Sequence, residues 1–180
     1  MADKSREGCI VCQIVANKIP SKKVYEDEFV MAVLDFNGAN PGHCFVMPKS
    51  HYPIIEQVPD IEIGRLFNVS NKLSSAIFES LGAQGTSIFV ANGIPAGQTI
   101  AHFIINVIPR KEGDGINLQW QPKNLDEEEM STVELKLKEQ TKRIGHFEKE
   151  IKKPKVHAPK PVVLSEEEEE YFTKQMRRVP

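Results

Sequence analysis

Four side chains in this 180-residue chain are of the types that bind transition metals: Cys9, Cys12, His51 and His102. A Cys-x-x-Cys pair puts two thiolates on one tight turn, as a tetrahedral zinc site needs. The two histidines are distant in sequence, so a sheet would have to bring them together. Spacing alone leaves two readings open: a zinc site, or a reduced pair of structural thiols with two unrelated polar histidines. A redox role for the thiols is the weaker reading, because the usual βαβ context is absent.

His102 lies in the run from Gly93 to Arg110, where a Gly/Pro turn feeds β-branched and aromatic residues and Pro109 is expected to stop them. In a strand alternate residues share a face, so His102, Ile104 and Asn106 point one way and Phe103, Ile105 and Val107 the other. The loop from Asn92 through Gly97, Gln98 and Thr99 offers donors that can hold an anionic group, a weak signal by itself. Asp35 ends a buried strand beside a turn. It could accept hydrogen bonds from a ribose, or cap the loop through its own backbone.

The elements that must position these residues are short. Gln13–Asn17 reads as a helical turn, Val24–Glu26 as a strand, and Phe29–Asp35 and His43–Pro48 as two strands of an antiparallel hairpin. Asp60 is the expected N-cap of a helix whose Ile63, Leu66, Phe67, Leu73, Ile77, Phe78 and Leu81 form one apolar face, with Gly82 as its stop. Ser87–Ala91 is a strand that should pair with the motif strand. The expectation is an α+β fold, an antiparallel sheet with one long amphipathic helix, plus a C-terminal helical extension. The domain boundary is placed near Gly113–Gly115, giving a domain over 1–115 and an extension over 116–180.

In the extension, Asp126 and Glu129 resemble a capping box. Met130, Val133, Leu137, Ile144, Phe147 and Ile151 follow at heptad spacing, with Gln140 in one slot and Gly145 as an interruption. Pro154–Pro161 reads as an extended connector. Ser165 and Glu168 cap a short last helix carrying Tyr171, Phe172 and Met176. Both helices are expected to pack on the domain or on a twin chain. The run Glu166–Glu170 is a solvated helix start.

Composition is that of a soluble globular protein, with 40% hydrophobic and 27% charged residues and a net charge of -2. Basic and acidic side chains balance in residues 116–180, so no specific nucleic-acid partner is expected. No apolar run approaches the roughly 20 residues of a membrane span. The polar start Met1–Glu7 lacks the apolar region of a signal peptide, which favours a cytoplasmic protein.

The segment Ala96-Gly97-Gln98-Thr99-Ile100-Ala101-His102-Phe103-Ile104-Ile105-Asn106-Val107-Ile108-Pro109-Arg110 resembles the signature of the histidine triad (HIT) nucleotide-binding family, which runs His-φ-His-φ-His-φ-φ before Pro-Arg, with φ apolar. Cys9–Ile14, Ile19–Asp27, Leu34–Asn37, Asn40–His43 and Met47–Tyr52 match the family's remaining segments. The resemblance covers about residues 8–115. The tail is similar, more weakly, to that of archaeal HIT-like proteins.

The resemblance implies a homodimer joined through the helix and the motif strand, and a pocket for a purine nucleotide such as AMP. Asp35 would bind the ribose, with Leu34 and Phe36 near the base and Asn92, Gln98 and Thr99 at the phosphates. It also implies structural zinc on Cys9, Cys12, His51 and His102, as in several family members. His43 matches a position close to the triad and is read as a supporting hydrogen-bonding residue of the pocket.

The departure concerns mechanism. In the family the middle histidine attacks the α-phosphate and forms a nucleotidyl intermediate. That position here is Ile104, which has no lone pair. The third position is Asn106, an amide that also occurs in the family's transferase branch. The preferred reading is a nucleotide-binding HIT domain without the family's hydrolase or transferase chemistry and with no catalytic residue. The alternatives are an active nucleotide hydrolase or nucleotidyl transferase working through His43 or an activated water, and a zinc-stabilised interaction scaffold.

Overall fold

The structure is a computed structural model and describes residues 4–144, which lie within one compact unit, Met1–Glu148. Two short helices, α1 (Lys4–Glu7) and α2 (Ile10–Val15), precede the sheet. Its strands are β1 (Lys23–Glu26), β2 (Val30–Leu34), β3 (Cys44–Pro48), β4 (Gly85–Phe89) and β5 (Ile105–Arg110), and α3 (Asp60–Leu81) joins β3 to β4. The order across the sheet is β1-β2-β3-β5-β4, with every neighbouring pair antiparallel. This is the expected α+β fold.

Both faces of the sheet are covered, and the alternation along β2 shows it. Val30 and Ala32 join Val46, Leu66, Ile77, Phe103, Ile105 and Val107 in the core beneath α3. Met31 and Val33 join Met47, Cys9 and Val11 on the opposite face, with Phe45, Ile100 and Ile104 packed against them. A strand covered on both sides reads as a continuous apolar run, so β2 carries no alternating signal of its own. Leu66 is fully buried in the first cluster, and its truncation to Ala would cost about 2–5 kcal/mol.

Several boundaries differ from the sequence expectation for local reasons. The first helical turn begins at Ile10 rather than Gln13 and ends before Asn17, which has φ +57°. Pro59, not Asp60, is the N-cap of α3, and Asp60 is its first residue. Gly82 ends α3 in the left-handed region, as expected. Strand β4 begins at Gly85 rather than Ser87 and ends at Phe89, which pairs with Asn106 near the start of β5. Pro109 does not stop β5. Beyond Val107 this strand pairs with β4 and has left β3, so the missing N–H of Pro109 interrupts no ladder on the β3 side.

The loop between β2 and β3 is fitted closely to the end of α3. Gly42 has φ +92°, and a Cβ there would collide with Leu81 Cδ1. Only glycine combines that backbone with that approach.

A last helix, α4 (Glu127–Gln140), is capped as the sequence predicts: Asp126 Oδ1 accepts the Glu129 N–H at 2.7 Å. A 3-10 turn over Thr141–Arg143 follows. Met130, Val133, Leu137 and Ile144 are all exposed, so this apolar stripe is not packed on the domain. The expected continuation through Phe147 and Ile151, the Pro/Lys connector and the short last helix lie outside the described residues. Among the described residues no helix is long and apolar enough to cross a membrane.

Candidate functional site

The four expected metal-ligand residues converge on the face of the sheet opposite α3. Cys9 and Cys12 come from the start of α2, His51 follows β3, and His102 precedes β5. Their donor atoms all lie within 4.8 Å of one another. The His51 and His102 Nδ1 atoms are 3.3 Å apart. Sulfur-to-nitrogen separations are 3.3 Å for Cys12–His51, 3.5 Å for Cys9–His102 and 3.8 Å for Cys12–His102.

These separations test whether the donor set fits an ion. A tetrahedron with Zn–N of about 2.0 Å and Zn–S of about 2.3 Å has N–N edges of about 3.3 Å and N–S edges of about 3.5 Å. The N–N edge agrees with this, and the three N–S separations fall within about 0.3 Å of it. Its orientation is fixed from outside: His102 Nε2–H donates to the Pro48 carbonyl at 3.0 Å, which leaves the Nδ1 lone pair facing the thiols. Burial depresses the His102 pKa to about 4, so the imidazole is neutral, the state a metal ligand requires. His102 is 1% exposed, whereas His51 and Cys12 are only partly buried, so one edge of the cluster faces the surface.

Beside this cluster is a cavity of about 180 Å³, lined by Phe45, Phe89, Gln98, Thr99, Ile104 and Asn106 together with His102. Its floor is a cross-strand row, because Asn106 on β5 pairs with Phe45 on β3 and with Phe89 on β4. Side chains at one level of adjacent strands share a face, which puts both rings and the amide in one wall. Ile104 and His102 continue that face toward the metal cluster.

The polar groups around the cavity are mutually engaged. Gln98 Oε1 accepts the Gly93 N–H at 2.7 Å, and its Nε2 donates to the carbonyls of Pro53 and Ile100 at 2.6 and 2.8 Å. Asn92 stands outside this lining. Its Oδ1 accepts the Ile55 N–H and its Nδ2 donates to Glu56. Asp35 Oδ1 accepts the Asn37 N–H at 2.9 Å, a local turn closure. Phe36 is 72% exposed next to it, and Leu34 is the last residue of β2.

His43 links these two regions. Its Nδ1 accepts the Ala39 N–H at 3.2 Å, which puts the proton on Nε2, and Nε2–H donates to Asn106 Oδ1 at 3.3 Å. Burial lowers its pKa against the opposing pull of the Asp35 carboxylate. The 3.5 Å approach of Asp35 Oδ2 to Nδ1 is therefore not an ion pair at neutral pH, since that nitrogen carries no proton.

Of the expected pocket residues, the cavity gathers Gln98 and Thr99 with Ile104 and Asn106. His43 adjoins it through its hydrogen bond to Asn106 and an edge-on contact with the Phe45 ring, 5.1 Å between centroids, and Asp35 stands behind His43. Sequence reasoning missed the Pro48 carbonyl, which no side-chain pattern reveals. It also missed Phe45 and Phe89, whose common level with Asn106 follows only from strand register.

The HIT domain family matches residues 16–113. An uncharacterized HIT-like protein of Methanocaldococcus jannaschii is 42% identical over 123 residues, which is 68% of this chain and 95% of that protein. The adenylylsulfatase HINT3 of Arabidopsis thaliana is 36% identical over 109 residues, 61% of this chain and 55% of its own length. The crystal structure of a Zn-bound histidine triad family protein from Mycobacterium smegmatis has a TM-score of 0.60 at 29% identity, covering 75% of this chain and 96% of that one. With residues 16–113, more than half its length, matched by the family, this chain belongs to the HIT domain family.

Proposed function

We propose that this protein binds a purine nucleotide or nucleoside in the cavity beside Ile104 and lacks the nucleotidyl-histidine chemistry of its family. The observation that carries this reading is the place of Ile104 in the cavity lining, between His102 and Asn106. An aliphatic side chain can neither attack phosphorus nor accept a proton. His43 is a poor substitute, because its Nε2 holds the proton and is directed at Asn106. Leu34, Asp35 and Phe36 are assigned to the base and ribose, and Asn92, Gln98 and Thr99 to the loop that surrounds the rest of the ligand.

Zinc is assigned to Cys9, Cys12, His51 and His102. Four protein ligands close the coordination sphere, so its contribution is to tie α2, the β3 terminus and the approach to β5 together. The Zn-bound relative supports the choice of metal. The homodimer expected through the helix and the motif strand is assigned to α3 and the edge strand β4, because β5 is an inner strand and Phe67, Phe78, Leu81 and Ile88 are exposed on that side. Residues 116–180 are assigned as an extension outside the nucleotide-binding domain, and the compartment as the cytoplasm.

The test is calorimetric titration of the full chain with AMP and GMP alongside adenosine and guanosine. Binding of any of the four that is weakened by Ile104→Trp, which fills the cavity, supports the reading. No heat from any of them at millimolar concentration removes it and favours an interaction scaffold.

A further inference from the structure

We infer that the cavity over Ile104 selects against charge: it accepts a purine nucleoside with a neutral 5′ substituent and discriminates against the 5′-phosphate. This rests on the reading that the cavity receives the nucleoside, and it narrows the ligand class within that reading.

The first support is the absence of a cation. Among the described residues no lysine or arginine lines the cavity. Its histidine, His102, gives its Nε2 proton to the Pro48 carbonyl and turns Nδ1 toward the thiols of Cys9 and Cys12, so both ring nitrogens are engaged away from the cavity. His43, the next imidazole out, directs its Nε2 proton at Asn106 Oδ1.

The second support is the disposition of the neutral donors. The Gln98 amide N–H groups serve the Pro53 and Ile100 carbonyls. The Asn106 amide approaches the Phe89 carbonyl at 3.5 Å, and its oxygen receives the His43 proton. The Gly97 and Gln98 backbone N–H groups, which a glycine-rich loop would present to an anion, donate back to the Ile94 and Gly93 carbonyls. The Thr99 hydroxyl and backbone N–H remain, neutral groups suited to a hydroxyl, ester or thioether.

The third support is the apolar wall. Phe45, Phe89, Ile100 and Ile104 form much of the lining. A phosphate entering here exchanges its hydration shell for hydrocarbon and already-engaged amides, and a buried charge without a paired cation is strongly disfavoured. A neutral substituent loses little water and gains contact with the same side chains.

The experiment is titration of the full chain, as purified, with adenosine, guanosine, AMP and GMP near neutral pH at fixed ionic strength. The expected result is that each monophosphate binds at least about tenfold more weakly than its nucleoside. In Ile104→His, AMP and GMP should gain about tenfold relative to their nucleosides, since a charge-assisted donor is returned to the wall. Monophosphates that bind the unaltered protein as tightly as their nucleosides, or more tightly, overturn the inference while leaving the cavity as a nucleotide site. Failure of all four to bind removes the cavity reading itself, and the inference with it.

Discussion

The His43 imidazole and the Asn106 amide meet at 3.3 Å, with the Nε2 proton of His43 directed to Oδ1. This contact joins the residue preceding β3 to the middle of the cavity floor, and it depends on a neutral imidazole. Unfolding releases His43 to its ordinary pKa of 6.5, while burial holds the folded value lower. Between those values the unfolded chain binds more protons. The contribution of neutral His43 is therefore complete above about pH 6.5 and is lost as pH falls toward the folded value. Urea unfolding at pH 7.5 and 5.5 should show a smaller pH dependence in His43→Gln than in the unaltered protein.

Loss of the proposed zinc should destabilise the whole unit. The protein is expected to contain one zinc per chain by elemental analysis. Cys12→Ser should abolish that content and lower stability by about 3 kcal/mol or more, because the ion's binding energy is then absent from the folded state. At about 2–4 °C per kcal/mol for a chain of this size, the melting temperature should fall by roughly 10 °C. A strong chelator should produce the same shift in the unaltered protein and none in the variant.

Gln98 should prove to be a structural residue as well as a lining one. It bridges the Gly93 N–H and two carbonyls, so Gln98→Ala leaves three polar groups to find water or remain unpaired. A loss of about 1–3 kcal/mol in denaturant unfolding is expected.

Dimerisation through α3 and β4 predicts a sensitive position at Phe78. It is 58% exposed and lines a groove with Thr86 at the open edge of the sheet. Phe78→Glu should weaken self-association at least about tenfold by light scattering, as expected for an aromatic anchor. An unchanged dimer would place the interface elsewhere.

The helix α3, the hairpin of β2 and β3 and the cap at Asp126 were legible because each rests on local pattern: period 3.6, a turn-rich loop, a carboxylate three residues before a free N–H. The metal cluster was legible only in part. Cys-x-x-Cys is a local signal, but the meeting of His51 with His102 depends on β3 and β5 being sheet neighbours. The stop at Pro109 was misread because it took a local rule about proline and could not know that β3 pairing ends at Val107. The covering of the second sheet face by α2 was not legible, since Cys9 and Val11 find their partners Met31 and Met47 only through the tertiary fold. For the same reason the engagement of Gln98 and Asn92 with distant backbone groups carried no sequence signal.

The most direct test of the account is AMP release from adenosine phosphoramidate and from adenylyl sulfate, followed by chromatography over many turnovers with the full chain. With Ile104 proposed to occupy the family's nucleophile position, the account predicts release no faster than in buffer with free zinc, and no acid-labile phosphohistidine adduct. Steady release that disappears on substitution of His43 or Asn106 would contradict it.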